Sequence, residues 1–183
     1  MVRKLKYHEQ KLLKKVDFLN WKSDANLREV KVLRRYHVQD REDYHAYNKL
    51  CGMVTKMVSM LKNLDARDPV RIDLTDQLLG KLYSIGLIQH KKITACEKLA
   101  ASTFCRRRLP VVLVRLKFAE TMKEAVTLVE QGHVRVGPQT VVDPAYLVTR
   151  QMEDYVTWVD ASKIKRTVMK YNDKLDDYDL LGV

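Results

Sequence analysis

The sequence of 183 residues is poor in glycine and proline, with six and four, which excludes flexible low-complexity linkers and collagen-like repeats. No internal period marks a solenoid. Cysteine is scarce too: Cys51, Cys96 and Cys105 form no CxxC pair. An odd count, behind an N-terminus (Met1-Val2-Arg3-Lys4-Leu5-Lys6) that lacks a signal-type apolar stretch, predicts reduced thiols in a soluble intracellular protein. A disulfide scaffold or zinc ribbon is not expected. No run approaches the roughly 20 apolar residues of a membrane span. A glycine-rich phosphate loop, GxSxG, HExxH and DxDxDG are all missing. The five histidines stand singly, and the tail carboxylates Asp173, Asp176, Asp177 and Asp179 lack the glycine and glutamate of a calcium loop. The sequence therefore predicts no catalytic residue, no metal and no cofactor.

What is abundant is positive charge. There are 34 Lys+Arg against 23 Asp+Glu, a formal net charge of +11, and 46% hydrophobic residues still leave material for a core. The excess is uneven. Residues 1–64 carry 15 basic and 7 acidic side chains, residues 65–108 carry 9 and 5, residues 109–170 carry 9 and 7, and residues 171–183 carry 1 and 4. Cations placed along a surface neutralise phosphates and release counterions, so nucleic acid is the leading partner class. An anionic membrane surface is the alternative on charge alone.

The first half reads as helices. Residues 3–21 place Leu5, Leu12, Val16 and Leu19 on one stripe, a candidate protein-docking face, with Arg3, Lys4, Lys6, Lys11, Lys14 and Lys15 as candidate RNA contacts. Ser23-Asp24 offers a cap for a helix marked by Leu27, Val30, Leu33 and Tyr36. Behind Asp40, Tyr44, Tyr47, Leu50/Cys51, Val54, Met57/Val58, Leu61 and Leu64 keep a three-four spacing for almost six turns, which marks a core stripe or a partner-helix seam. Asp68-Pro69 opens another helix through Leu74, Leu78, Leu82 and Ile85, stopped by Gly86.

The second half changes character. Arg106-Arg107-Arg108-Leu109-Pro110 enters a short apolar helix, and Pro110 fits only in its first turn. Thr121-Met122-Lys123-Glu124 is a capping box for a second helix that ends at Gly132. His133-Val134-Arg135-Val136-Gly137-Pro138 alternates and then turns, as a strand entering a hairpin does. Thr140 to Val142, Tyr146 to Val148 and Tyr155 to Val159 are further strand candidates, and a charged helix from about Ser162 to Lys170 closes the unit. Cys105, beside three arginines, would be an acidic thiol if exposed; burial behind Phe104 is the favoured reading. If the two helices run antiparallel, Arg106, Arg107, Arg108, Lys117, Lys123, His133 and Arg135 can converge into a patch suited to A-form RNA. Alternatively, Arg115 pairs with Glu120 or Glu153 and His133 packs under the hairpin.

The stretch RRLPVVLVRLKFAETMKEAVTLVEQGHVRVG resembles the RNA-binding S-four module of small-subunit ribosomal protein four. Arg107, Arg108, Leu109, Arg115, Leu116, Phe118, Ala119, Gly132, His133, Val134 and Val136 match its pattern in order. The usual aspartate after Arg-Arg-Leu is Pro110 here, and basic residues usual on the second helix are replaced by Glu120, Met122 and Val126. The expected fold is α+β: a basic helical region (1–105), an S-four-like module of two helices packed on a short antiparallel sheet (106–160), then a short helix and acidic tail (161–183).

Over the whole chain, VRKLKYHEQKLLKKVDFLNW, FCRRRLP, EQGHVRVGP, DPAYLVTR, MEDYVTWVD and SKIKR resemble the S-four-domain proteins of the U-three small nucleolar ribonucleoprotein. That resemblance implies a non-enzymatic factor of the small-subunit processome in the nucleus and nucleolus. Its implied partners are the U-three small nucleolar RNA, the precursor of small-subunit rRNA, the M-phase phosphoprotein ten scaffold and a companion RNA-binding processome protein; a membrane is not among them. The rival classes are a structural ribosomal protein of the S-four family and an enzyme with an appended S-four module.

Overall fold

In a computed structural model, residues 3–16 and 27–174 are described. Leu19, the Ser23-Asp24 cap and Asp176, Asp177 and Asp179 lie outside the described residues. The elements in chain order are α1 (Tyr7–Lys15), α2 (Leu27–Tyr36), α3 (Arg41–Asn63), α4 (Pro69–Ile85), α5 (Ile93–Glu97), α6 (Ala101–Cys105), α7 (Leu109–Arg115), α8 (Met122–Glu130), β1 (Val134–Val136), β2 (Gln139–Thr140), α9 (Arg150–Glu153), β3 (Val156–Trp158) and α10 (Lys163–Tyr171).

Local chemistry explains most boundaries. The Asp68 carboxylate caps α4 by accepting from Val70 N at 3.0 Å, Pro69 occupies the first turn, and Gly86 stops the helix at φ +86. Thr121 caps α8 by accepting from Glu124 N at 3.2 Å. The return half of this capping box is shifted: Glu124 accepts from the N–H of Glu120, one residue before the cap. Ser162 caps α10 by accepting from Ile164 N.

Two hydrophobic clusters meet at the α6–α7 junction. The first packs Tyr44, Tyr47, Cys51 and Val58 of α3 on Leu79, Leu82, Ile88, Cys96, Phe104 and Cys105. Tyr47 stacks on Phe104 with ring centroids 5.4 Å apart. Only the C-terminal half of α4 takes part: Leu79 and Leu82 are buried, whereas Leu74, one of the apolar positions that mark this helix, is 47% exposed. The second cluster joins Leu109, Val112 and Leu113 of α7 and Ala125 and Val129 of α8 to Val134, Val136, Val148 and Val156.

The sheet is antiparallel in the order β2-β1-β3, with Arg135 opposite Thr140 on one side and Thr157 on the other. Val134 and Val136 point inward, so Arg135 points outward by the period-two rule. Two strand expectations contract. Beyond Thr140 the chain turns at Asp143-Pro144, where Asp143 accepts from Ala145 N at 2.7 Å and proline cannot donate to a ladder. Tyr146 to Val148 is no strand but one bridge, Leu147 to Arg108, flanked by Leu109 N donating to Tyr146 O and Val148 N to Arg107 O, both at 2.8 Å. That bridge fastens the start of the module to its own far end.

Candidate nucleic-acid interface

The three consecutive arginines do not form a common patch. Arg106 follows α6 with helical backbone angles, φ −66 and ψ −17, whereas Arg108 is extended, φ −65 and ψ 143, so the side chains diverge. Arg106 is exposed, with Nε 3.4 Å from the Tyr36 hydroxyl. Arg107 is buried: Nε donates to the Val148 carbonyl at 2.9 Å and Nη1 to Glu153. Arg108 is buried as well, donating through Nη1 to Asp43 Oδ2 at 2.6 Å and to the Tyr47 hydroxyl at 3.3 Å. Arg107 and Arg108, named among the candidate RNA contacts, thus point into the protein. A guanidinium removed from water needs a carboxylate and acceptors close by, and these two have found theirs inside the protein.

Glu153 joins Arg107 to a cation outside the run, accepting also from Arg115 Nη2 at 2.7 Å, which realises one of the two pairings open to Arg115 from the sequence. Burial alone pushes the Glu153 carboxyl up, but the hydrogen bonds and charges of Arg107 and Arg115 outweigh it and hold it below the usual carboxylate range. Arg108 behaves in parallel: desolvation pulls its pKa down, and Asp43 and Tyr47 more than restore it.

Around this latch lies a cleft of about 810 Å³ between the helical region and the module. Leu87, Ile88, Ala95 and Leu99 supply apolar wall, and Lys98, Arg106, Arg107, Arg115 and Arg150 line it against the carboxylate of Glu153. Arg150 is fixed there by Nη2 donating to the Ile88 carbonyl at 2.7 Å and by its guanidinium lying 4.1 Å from the Tyr83 ring centroid. With Arg107 neutralised and Arg115 sharing its carboxylate, Lys98, Arg106 and Arg150 carry positive charge with no carboxylate partner identified among the described residues. Sequence reasoning missed Lys98 and Arg150. No local pattern marks them, since Arg150 meets Ile88 across 62 residues of chain.

The other predicted contacts occupy separate places. Lys117 is exposed at the α7–α8 corner in the left-handed conformation, φ +64, above a shallower hollow that includes Glu120 and Glu124. Lys123 is exposed on the first turn of α8. His133 is half-buried with Nδ1 3.0 Å from the Ser162 hydroxyl. Arg135 donates to Thr157 at 3.0 Å and to Asp160 at 2.7 Å. Lys165 reaches the same carboxylate, so Lys165 first and Arg135 with it hold Asp160 below its ordinary pKa. Of the predicted module contacts, Arg106 and Arg107 line the cleft, whereas Lys117, Lys123, His133 and Arg135 do not. Next to Arg135, α10 presents Lys163, Lys165, Arg166 and Lys170 without an acidic residue, a signal visible in the sequence but not singled out.

On α1 and the residues that lead into it, Lys4, Lys6, Lys11, Lys14 and Lys15 are exposed, while Arg3 pairs with Glu9 at 2.6 Å. None of the helix is buried, and Leu5, Leu12 and Val16 remain open at 39–58% exposure. The thiols are interior, and burial pushes Cys105 up to about 11, which excludes the acidic-thiol alternative. Among the described residues no group of His, Cys, Asp and Glu could hold a metal ion, and no helix is long and apolar enough to cross a membrane.

Comparison with known proteins divides the chain where the arginine run lies. The ribosomal protein S4/S9 N-terminal domain matches residues 4–106, and the S4 domain matches residues 107–154. The chain is 57% identical over 181 residues to the U3 small nucleolar ribonucleoprotein protein IMP3 of Saccharomyces cerevisiae, covering 98% of this chain and 99% of the relative. It is 57% identical to the Homo sapiens protein of the same name over 182 residues, with the same coverage. Similarity to the small ribosomal subunit protein uS4 of Metallosphaera sedula is lower, 29% over 148 residues, covering 79% of this chain and 81% of that one.

Proposed function

Since this chain belongs to the family of U3 small nucleolar ribonucleoprotein IMP3 proteins, RNA-binding factors of ribosome biogenesis, we propose that it binds the U3 small nucleolar RNA and promotes its pairing with the precursor of small-subunit rRNA. The setting is the small-subunit processome in the nucleolus, with the M-phase phosphoprotein ten scaffold and a companion RNA-binding protein as partners. The observation that carries the reading is the cleft at the junction, where Lys98, Arg106 and Arg150 gather around an apolar wall.

Two RNA strands repel through their phosphates, and cations along a protein surface screen that repulsion while releasing counterions. Unpaired bases gain from apolar and aromatic surface, so one strand can be held open until its complement arrives. The exposed lysines of α1 and the cations of Lys117, Lys123, Arg135 and α10 extend the electrostatic surface. Strand pairing of this kind needs no nucleotide hydrolysis and no catalytic side chain. The greater identity to the U3 proteins than to uS4 favours this role over that of a structural ribosomal protein.

The test is an annealing assay with fluorescently labelled U3 and pre-rRNA segments at several salt concentrations. Wild-type protein accelerates annealing, and the charge-reversed pair Lys98→Glu with Arg106→Glu loses at least tenfold in RNA affinity and flattens its salt dependence. Both side chains are exposed, so the fold is retained. Equal annealing rates with and without the wild-type protein would refute the function, and an unaffected variant would refute the cleft.

A further inference from the structure

The 23 residues of α3 carry more apolar surface than the core uses. Tyr44, Tyr47, Cys51, Val58 and Leu61 are buried, yet Leu50, Met53, Met57 and Met60, with Leu64 just past the helix end, stand 39–52% exposed. Their intervals of three, four, three and four residues form the seam of a coiled coil, about 21 Å long at the helical rise. We propose that this stripe is the docking site for an acidic amphipathic helix of another protein.

Charge selects the occupant. No acidic residue lies between Asp43 and Asp65, and the exposed Lys49 and Lys56, seven residues apart, run along one edge of the stripe. A second copy of the chain would set lysine rim against lysine rim. The protein's own amphipathic helix α1 carries Lys11, Lys14 and Lys15, the same sign again. Residues 175–183 carry Asp176, Asp177 and Asp179 but lack the regular apolar spacing that would match the seam. RNA would satisfy the lysines and leave the methionines bare. A helix with apolar residues at the same intervals and Glu or Asp beside them satisfies both features, and unbranched methionines adapt to such a partner. The docking site is independent of the RNA reading.

The probe is a synthetic helix of three heptads with Leu at the seam and Glu beside it, which repels its own copies, compared with the same helix carrying Lys. Fluorescence anisotropy with the full chain is expected to show the Glu helix binding at least tenfold tighter. Met57→Asp, at an exposed position, abolishes that preference without shifting the thermal midpoint, and Lys49→Glu with Lys56→Glu inverts it. Equal binding of both helices, or binding indifferent to Met57→Asp, overturns the proposal. So does a tenfold gain on removing residues 175–183, which would assign the stripe to the tail. A dimer that Met57→Asp dissociates would assign it to a second copy, and displacement of the Glu helix by single-stranded RNA would make it an RNA surface; either result overturns the proposal too.

Discussion

Replacing Glu153 by Gln tests the latch that ties α9 to Arg107 and Arg115 within the module. The change keeps the shape and one acceptor oxygen but removes the charge that faces Arg107, whose side chain is 5% exposed, and Arg115, which is 50% exposed. Breaking a buried pair on one side costs about 3–5 kcal/mol. Glu153 is itself 23% exposed and Arg115 can turn to water, so only the Arg107 arm counts in full. The expected loss is about 2 kcal/mol for Gln and about 3 kcal/mol for Ala, read from urea unfolding followed by far-ultraviolet circular dichroism.

The pH dependence has a definite sign. The native carboxyl is held below its unfolded value, so its stabilisation is fully present above about pH 4.5. It is lost as pH falls through the native pKa. The gap between wild type and Glu153→Gln should therefore be widest near neutrality and close on acidification. Freeing Arg115 also adds one net charge to the cleft, so RNA affinity rises while stability falls. A loss below about 0.5 kcal/mol, or a gap constant from pH 7 to pH 3, would refute the reasoning.

Gly86→Ala should cost about 2–3 kcal/mol, because alanine is strained at φ +86 and its Cβ would stand 2.9 Å from the Arg107 guanidinium; the urea midpoint checks it. Lys117→Gly relieves a left-handed lysine and should raise stability by about 0.5–1 kcal/mol while lowering the salt slope of RNA binding by about 1; an unchanged slope would remove Lys117 from the interface. Cys51, Cys96 and Cys105 are buried with burial-raised pKa values, so iodoacetamide at pH 8 should label none of them in the native protein and all three after denaturation, as mass spectrometry would count.

The parts of the fold written locally were legible in the sequence. Asp68-Pro69, Gly86, Thr121 and Ser162 mark helix ends through their own backbone and side-chain chemistry, Asp40 stands at the start of α3 without a side-chain capping bond, and each boundary lies where those residues put it within a residue or two. The short helices α5, α6 and α9 span four or five residues, too few for a hydrophobic period to register. The candidate site was legible only in part. Its cations are plain in the composition, but which of them face water is decided by Asp43, Val148 and Glu153, which meet the arginine run across 65, 41 and 46 residues.

That non-local choice gives the arginine run two kinds of work, and mutagenesis can separate them. Replacing Arg106, Arg107 and Arg108 together by Ala would delete two buried pairs at about 3–5 kcal/mol each, comparable with the whole stability of a domain of about 5–15 kcal/mol. The triple variant should unfold or lose its cooperative transition, and its lost RNA binding would say nothing about contact. Arg106→Ala removes an exposed side chain whose nearest polar partner is 3.4 Å away, so it should change stability by less than about 0.5 kcal/mol. If it still weakens RNA binding and lowers the salt slope by about 1, Arg106 is the phosphate ligand of the run. If Arg107→Ala or Arg108→Ala weakens binding with an unchanged unfolding midpoint, the division between an outward Arg106 and two inward neighbours is wrong.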